Sequence, residues 1–225
     1  MKITKKKVVV TSIAVCLVAI LSMGTLAWFT DSDSATNNFF VTNSDQGADA
    51  IFSIDVKENV EGSQTPVDGY NFNNILPNQT ISKNPYVVNT GSYDQYVRVT
   101  ITISDYNAFV GALTENYEIA NAFGGINTAS WEFDKKIVND DPAVDTVSYV
   151  YYLKTVLAPT NQVELFESVT IPYQLTREDF ANTTLSDGFS ITVLAEAVQT
   201  QNVGVTNETG AAMAKRAFEY VAANS

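Results

Sequence analysis

The sequence has no histidine and only one cysteine in 225 residues. The first absence excludes Ser-His-Asp and Cys-His nucleophile systems, histidine-based acid–base chemistry and His-ligated zinc. The second excludes an intrachain disulfide and a thiolate metal cluster. Basic residues are also scarce: 13 Lys and Arg stand against 25 Asp and Glu, a formal net charge of −12. Nucleic-acid binders need Lys or Arg clusters that displace counterions from phosphates, so no nucleic-acid partner is expected. The chain is 45% hydrophobic and 11% aromatic, enough to build the core of one domain of ordinary size.

The amino terminus reads as an export signal. Lys2, Lys5, Lys6 and Lys7 precede an apolar stretch from Val8 to Ala27, and a polar run from Thr30 to Asn38 follows. A basic end, an apolar centre and small residues at the cut are the three parts of a secretory signal. Thr25 and Ala27 occupy the small positions around Leu26, so cleavage is expected between Ala27 and Trp28. The alternative is an uncleaved anchor, since about 20 residues can span a bilayer. Cys16 lies inside the apolar stretch and reads as a passive apolar residue. Residues 1–27 hold four lysines and no acids, so the remainder has 9 basic and 25 acidic residues, net −16, and no cysteine. An exported chain without disulfides is held by its own core, a bound ion or other chains.

Residues 28–48 read as an N-terminal arm and 49–225 as one domain. Phe52, Ile54 and Val56 alternate with polar residues, the period of a strand with one buried face. After a loop rich in Gly, Ser, Pro and Asn, Tyr86–Val88 leads through Asn89-Thr90-Gly91-Ser92 into Tyr96–Ile103, which reads as a strand pair joined by a turn. Asn107–Ala122 breaks the alternation, with Phe109, Leu113, Tyr117 and Ala120 at helical spacing, and predicts a helical insertion ending at Gly124-Gly125. Further strands are predicted at Trp131–Val138, Val147–Leu153, Val163–Tyr173 and Phe189–Val198. In the second of these, Tyr149, Tyr151 and Leu153 share one face, opposite Val150 and Tyr152. Gly210–Ala222 predicts a short C-terminal helix with an apolar stripe of Met213, Ala217 and Tyr220. The pattern is mainly β, an antiparallel sandwich.

Gly24-Thr25-Leu26-Ala27-Trp28-Phe29-Thr30-Asp31 resembles the signal-peptide end of proteins cleaved by the specialised signal peptidase SipW, the TasA/camelysin family of Gram-positive bacteria. Leu76-Pro77-Asn78-Gln79-Thr80, Val87-Val88-Asn89-Thr90-Gly91-Ser92 and Tyr96-Val97-Arg98-Val99 are similar to that family's turn, Asn-Thr-Gly and strand sequences. So are Tyr149-Val150-Tyr151-Tyr152 with Leu157-Ala158-Pro159 and Leu165-Phe166, and Val193-Leu194-Ala195-Glu196-Ala197-Val198-Gln199. The resemblance implies a jelly-roll sandwich with insertions. It also implies a secreted structural protein of the biofilm matrix that forms fibres by head-to-tail strand donation. The expected partner is then the chain itself, with other matrix proteins as further candidates and the membrane touched only through the signal segment.

Camelysin is classed as a metallopeptidase, which makes that activity the first alternative. Most zinc peptidases supply at least two histidines, and this chain has none. An all-carboxylate site suits calcium or magnesium better. Asp140, Asp141 and Asp145 form the densest acidic cluster and Asp31-Ser32-Asp33 the next, both without the ligand spacing of a calcium loop. Glu178-Asp179, and Glu164 with Glu167, are pairs of the type used in glycoside hydrolysis, yet so acidic a chain places such pairs by chance. No catalytic residue, metal or cofactor is therefore assigned, and Gly91, Gly124 and Gly125 form no phosphate-binding pattern. The second alternative is a carbohydrate- or host-binding adhesin domain, with Tyr149, Tyr151 and Tyr152 as its platform; cross-strand packing is the commoner use of such residues. Leu157-Ala158-Pro159-Thr160-Asn161 lacks the apolar tail that wall attachment requires.

A cut before Trp28 frees an arm with Trp28-Phe29 at its start and Phe39, Phe40 and Val41 after the polar run. These five residues are the candidate donor strand, because an extended apolar arm can add to an open sheet edge of a neighbour. The competing reading is that residues 28–41 form the domain's own first strand or are disordered.

Overall fold

The computed structural model describes residues 30–34, 52–59, 66, 76–104, 119–139, 141, 144–173 and 189–224. Among them lie eleven strands: β1 (Thr30–Ser34), β2 (Ile54–Asn59), β3 (Thr80–Ser82), β4 (Asn84–Asn89), β5 (Gln95–Ser104), β6 (Phe123–Gly124), β7 (Trp131–Asn139), β8 (Thr146–Leu153), β9 (Gln162–Glu164), β10 (Ser168–Thr170) and β11 (Ile191–Gln199). One α-helix, α1 (Ala211–Ala223), follows. The protein is mainly β. Its strands form a five-stranded sheet in the order β1-β11-β5-β8-β7 and two three-stranded sheets, β3-β10-β6 and β2-β4-β9. Every registered pair is antiparallel.

Alternation decides which side chains enter the core. Val97, Val99, Ile101 and Ile103 of β5, Tyr149, Tyr151 and Leu153 of β8, and Val193, Ala195 and Ala197 of β11 all point to one side of the large sheet. There they meet Ile54 and Val56 of β2, Val87 of β4, Phe123 of β6 and Val169 of β10. Sheets therefore flank one shared core, an arrangement consistent with a β-sandwich.

The other face of the large sheet is apolar as well. Tyr96, Val150, Tyr152 and Val198 form a second cluster with Ala211, Ala214, Ala217 and Phe218 of α1. The helix falls where the sequence predicts it, but its buried stripe differs: Ala217 is buried as expected, Met213 is only partly buried, and Tyr220 is exposed. Ala211, Ala214 and Ala217 lie against this face together with one large side chain, Phe218, whose ring centroid is 5.9 Å from that of Tyr152. Arg98 completes this layer, with Nη2 2.7 Å from Glu196 Oε2 and its guanidinium carbon 4.4 Å from the Phe218 ring centroid. We expect Ala217→Leu to overpack this seam and cost about 1–3 kcal/mol, measured as a lower urea midpoint.

Two expectations are corrected. β4 and β5 are not a hairpin, since β4 pairs with β2 and β9 while β5 pairs with β11 and β8. The Asn-Thr-Gly stretch carries the chain from one sheet to another. Buried Asn89 holds this corner: its Nδ2 donates to the Tyr93 carbonyl at 2.7 Å and the Leu157 carbonyl at 2.8 Å, and its Oδ1 accepts from Gly91 N–H at 2.9 Å. Val163–Tyr173 is not one strand either. Leu165 and Phe166 are adjacent yet both enter the core, which a continuous strand forbids, so the segment splits into β9 and β10 in different sheets.

Of the expected insertion, residues 107–118 lie outside the described residues, and Ile119–Ala122 is a short 3₁₀ turn. Gly124, expected to end a helix, instead lies in β6 and pairs with Ser168 of β10.

Candidate strand-acceptor edge

Among the described residues, β1 and β7 are the strands of the five-stranded sheet with a single neighbour. Edge strands expose unpaired backbone donors and acceptors that can recruit another strand. The two edges differ in how well they resist this.

β7 carries Glu132 before Phe133 and Asp134, Lys135 and Lys136 in succession after it, with a β-bulge between Phe133 and Lys135. Charges, lysines above all, and bulges are the devices that blunt an edge. Asp134, within that irregularity, also accepts a hydrogen bond from Lys215 of α1 at 2.5 Å, which ties the edge to the helix. The Lys215 ammonium pKa is raised, chiefly by that hydrogen bond and the Asp134 charge. Phe133, Ile137 and Val138 remain about half exposed on this strand.

The opposite edge is capped differently. β1 pairs with β11 over five residues, from Thr30 opposite Val198 to Ser34 opposite Leu194. Asp31 and Asp33 stand opposite Ala197 and Ala195, both fully buried in the core. β1 and β11 also both lie against β2, the end strand of a second sheet. Remove β1 and a long, regular strand, β11, becomes the sheet edge.

The sequence places Trp28, Phe29, Phe39, Phe40 and Val41 around this strand; these side chains, the cleavage positions Thr25 and Ala27, and Cys16 lie outside the described residues. No helix among the described residues is long and apolar enough to cross a membrane.

The other candidate residues separate. Asp140, Glu178 and Asp179 lie outside the described residues. The Asp141 carbonyl accepts from Val144 and Asp145 N–H, at 2.8 and 2.7 Å, closing a tight turn, and Asp145 has φ 36°. Among the described residues no group of three or more His, Cys, Asp or Glu is placed to hold a metal ion. Glu164 and Glu167 line an open surface cleft of about 340 Å³ with Gly125–Ala129. The Glu164 carbonyl accepts the Trp131 indole N–H at 2.8 Å.

Tyr149, Tyr151 and Tyr152 are only 2%, 5% and 6% exposed. They are divided between the two core clusters, so they form no exposed aromatic platform. Burial raises the Tyr151 phenol pKa. Leu157–Asn161 forms part of the Asn89 corner: Asn89 N–H donates to the Asn161 carbonyl at 3.0 Å, and Thr160 N–H to the Asn89 carbonyl at 2.9 Å.

Two features escaped sequence reasoning. One is the pairing of Thr30–Ser34 with β11, although the small residues Ala195 and Ala197 at alternate positions were visible. The other is a buried ion pair between Glu58 and Lys83; the spacing of Ile54, Val56 and Glu58 already put the carboxylate on the buried face. The chain matches no family model, and no curated protein matches it.

Proposed function

We propose that this chain is a secreted structural protein of an extracellular matrix, with a jelly-roll-like sandwich, that assembles into fibres when residues 28–41 of one copy add to β11 of the next. The observation that carries the reading is the pairing of Thr30–Ser34 with β11 at one end of the large sheet. The resemblance to the TasA/camelysin family and the signal layout before Trp28 support it. The contact is heterologous, arm to edge, so it does not close and generates filaments.

Magnitudes say how much of the arm is needed. A micromolar contact requires about 8 kcal/mol, whereas each main-chain hydrogen bond contributes about 1 kcal/mol net. A five-residue strand alone falls short. Trp28-Phe29 on one side and Phe39-Phe40-Val41 on the other are needed to make up the difference, at about 1.5–3 kcal/mol for each apolar side chain buried.

Electron microscopy tests this. Chain beginning at Trp28 is expected to elongate into fibres, and chain lacking residues 28–41 to stay a folded monomer. Fibres from the deleted form would sink the donor-arm reading.

A further inference from the structure

β7 is blunted unevenly. Its bulge ends at Lys135, and from Lys135 opposite Val150 to Asn139 opposite Thr146 the strand follows β8 without irregularity. Among the described residues no strand pairs with its other side, and all five side chains are exposed, Ile137 at 46% and Val138 at 45%. The chain runs on into two acids, so the stretch reads Lys135-Lys136-Ile137-Val138-Asn139-Asp140-Asp141: two cations, an apolar centre and two anions. Asp140 enters here by its place in the sequence alone. Laid antiparallel on a second copy of itself, with Val138 opposite Val138, the stretch sets Lys135 opposite Asp141, Lys136 opposite Asp140 and Ile137 opposite Asn139. Symmetry repeats each pairing, so every one of these lysines meets an aspartate. Other registers lose this match: centred on Ile137, Asp134 comes opposite Asp140, and centred on Lys136, that lysine faces its own copy. Opposite charges directly across a strand pair stabilise it and like charges destabilise it.

We infer that two copies of this chain pair edge to edge through Lys135–Asn139 of β7, antiparallel about a two-fold axis at Val138, which joins their large sheets into one. The unpaired backbone donors and acceptors of two identical edges satisfy each other, and Ile137 and Val138 are withdrawn from water. The contact is isologous, so it closes at two copies. It uses neither the amino-terminal arm nor β11, and it stands apart from the fibre reading. The lysines that deter an unlike strand meet aspartates in this register, so the edge discriminates for its own kind. Exposed ion pairs contribute little and the paired stretch is short, so single copies part on dilution. Where many copies are held side by side, their contacts act together and the pairing persists.

Chain beginning at Trp28 holds no cysteine, so Val138→Cys places a single thiol on the axis, where directly opposed residues of an antiparallel pair lie within disulfide reach. Concentrated protein is oxidised mildly and the covalent dimer is read on a denaturing gel, whether or not fibres form. Val138→Cys is expected to give several times the dimer of Tyr173→Cys, a control position that is 70% exposed and outside β7. Added to Val138→Cys, either Asp140→Lys with Asp141→Lys or Lys135→Asp with Lys136→Asp leaves one sign of charge on both sides of the apolar centre. Each of these variants alone is expected to lose the dimer, and an equal mixture of the two to regain it as a mixed dimer identified by mass. Recovery in the mixture shows that the charges act between copies, which an effect on folding alone does not produce. Crosslinking of Val138→Cys no better than that of Tyr173→Cys would overturn the inference, and so would a mixture that crosslinks no more than its two components.

Discussion

Lys83→Met is expected to destabilise the fold by about 3–5 kcal/mol, a large part of the 5–15 kcal/mol that a domain typically has. Glu58 is 1% exposed and Lys83 7%. Lys83 Nζ donates to Glu58 Oε1, while Glu58 Oε2 has no partner among the described residues. The carboxylate thus depends on one ammonium group, and removing it strands a buried charge. The pair itself is a different matter, because desolvation offsets most of its attraction. Glu58→Leu combined with Lys83→Met is therefore expected to recover nearly all the loss. Urea denaturation of both single variants and the double variant gives the coupling energy directly. Additive losses in the double variant would show that the two charges do not stabilise each other.

Trp131→Ala is expected to cost a similar amount, about 3–5 kcal/mol. Trp131 is 1% exposed and sits at the first position of β7. Its indole N–H reaches the Glu164 carbonyl on β9, in the sheet on the other side of the core, at 2.8 Å. The variant leaves both a cavity and an unpaired carbonyl. Trp131→Phe keeps most of the packing and loses mainly the hydrogen bond, so about 0.5–1.5 kcal/mol is expected. Circular dichroism should follow unfolding, since Trp131 is one of only two tryptophans and its fluorescence disappears with it. A Trp131→Ala variant as stable as Trp131→Phe would mean that the indole ring does not pin the two sheets together.

Long strands were legible because their alternation is a local property. Tyr96–Ile103, Val147–Leu153 and Phe189–Val198 each hold a period of two over eight or more positions or nearly so, and each is a strand within a residue or two of its expected bounds. The three-residue strands β3, β9 and β10 are too short to display a period. The turn at Asn89–Ser92 was legible as a turn, but its destination was not. Whether a turn closes a hairpin or changes sheet depends on what its backbone meets, here the Leu157–Asn161 segment far along the chain. The Tyr149–Tyr152 faces were correct in sequence, yet their burial on both sides required α1 to cover one of them.

By itself, then, the sequence determined the mainly β character, the placement of a C-terminal helix, and the poverty in histidine, cysteine and basic residues that narrows the chemistry. These follow from side-chain identity and from periods of a few residues. Only the tertiary structure decided which strands are neighbours, that Glu58 must share its burial with Lys83, and that one edge of the large sheet is blunted while the other is capped by the chain's own amino-terminal strand. Strand pairing is non-local: every extended segment carries the same backbone donors and acceptors, and only the packing of distant apolar faces selects among them.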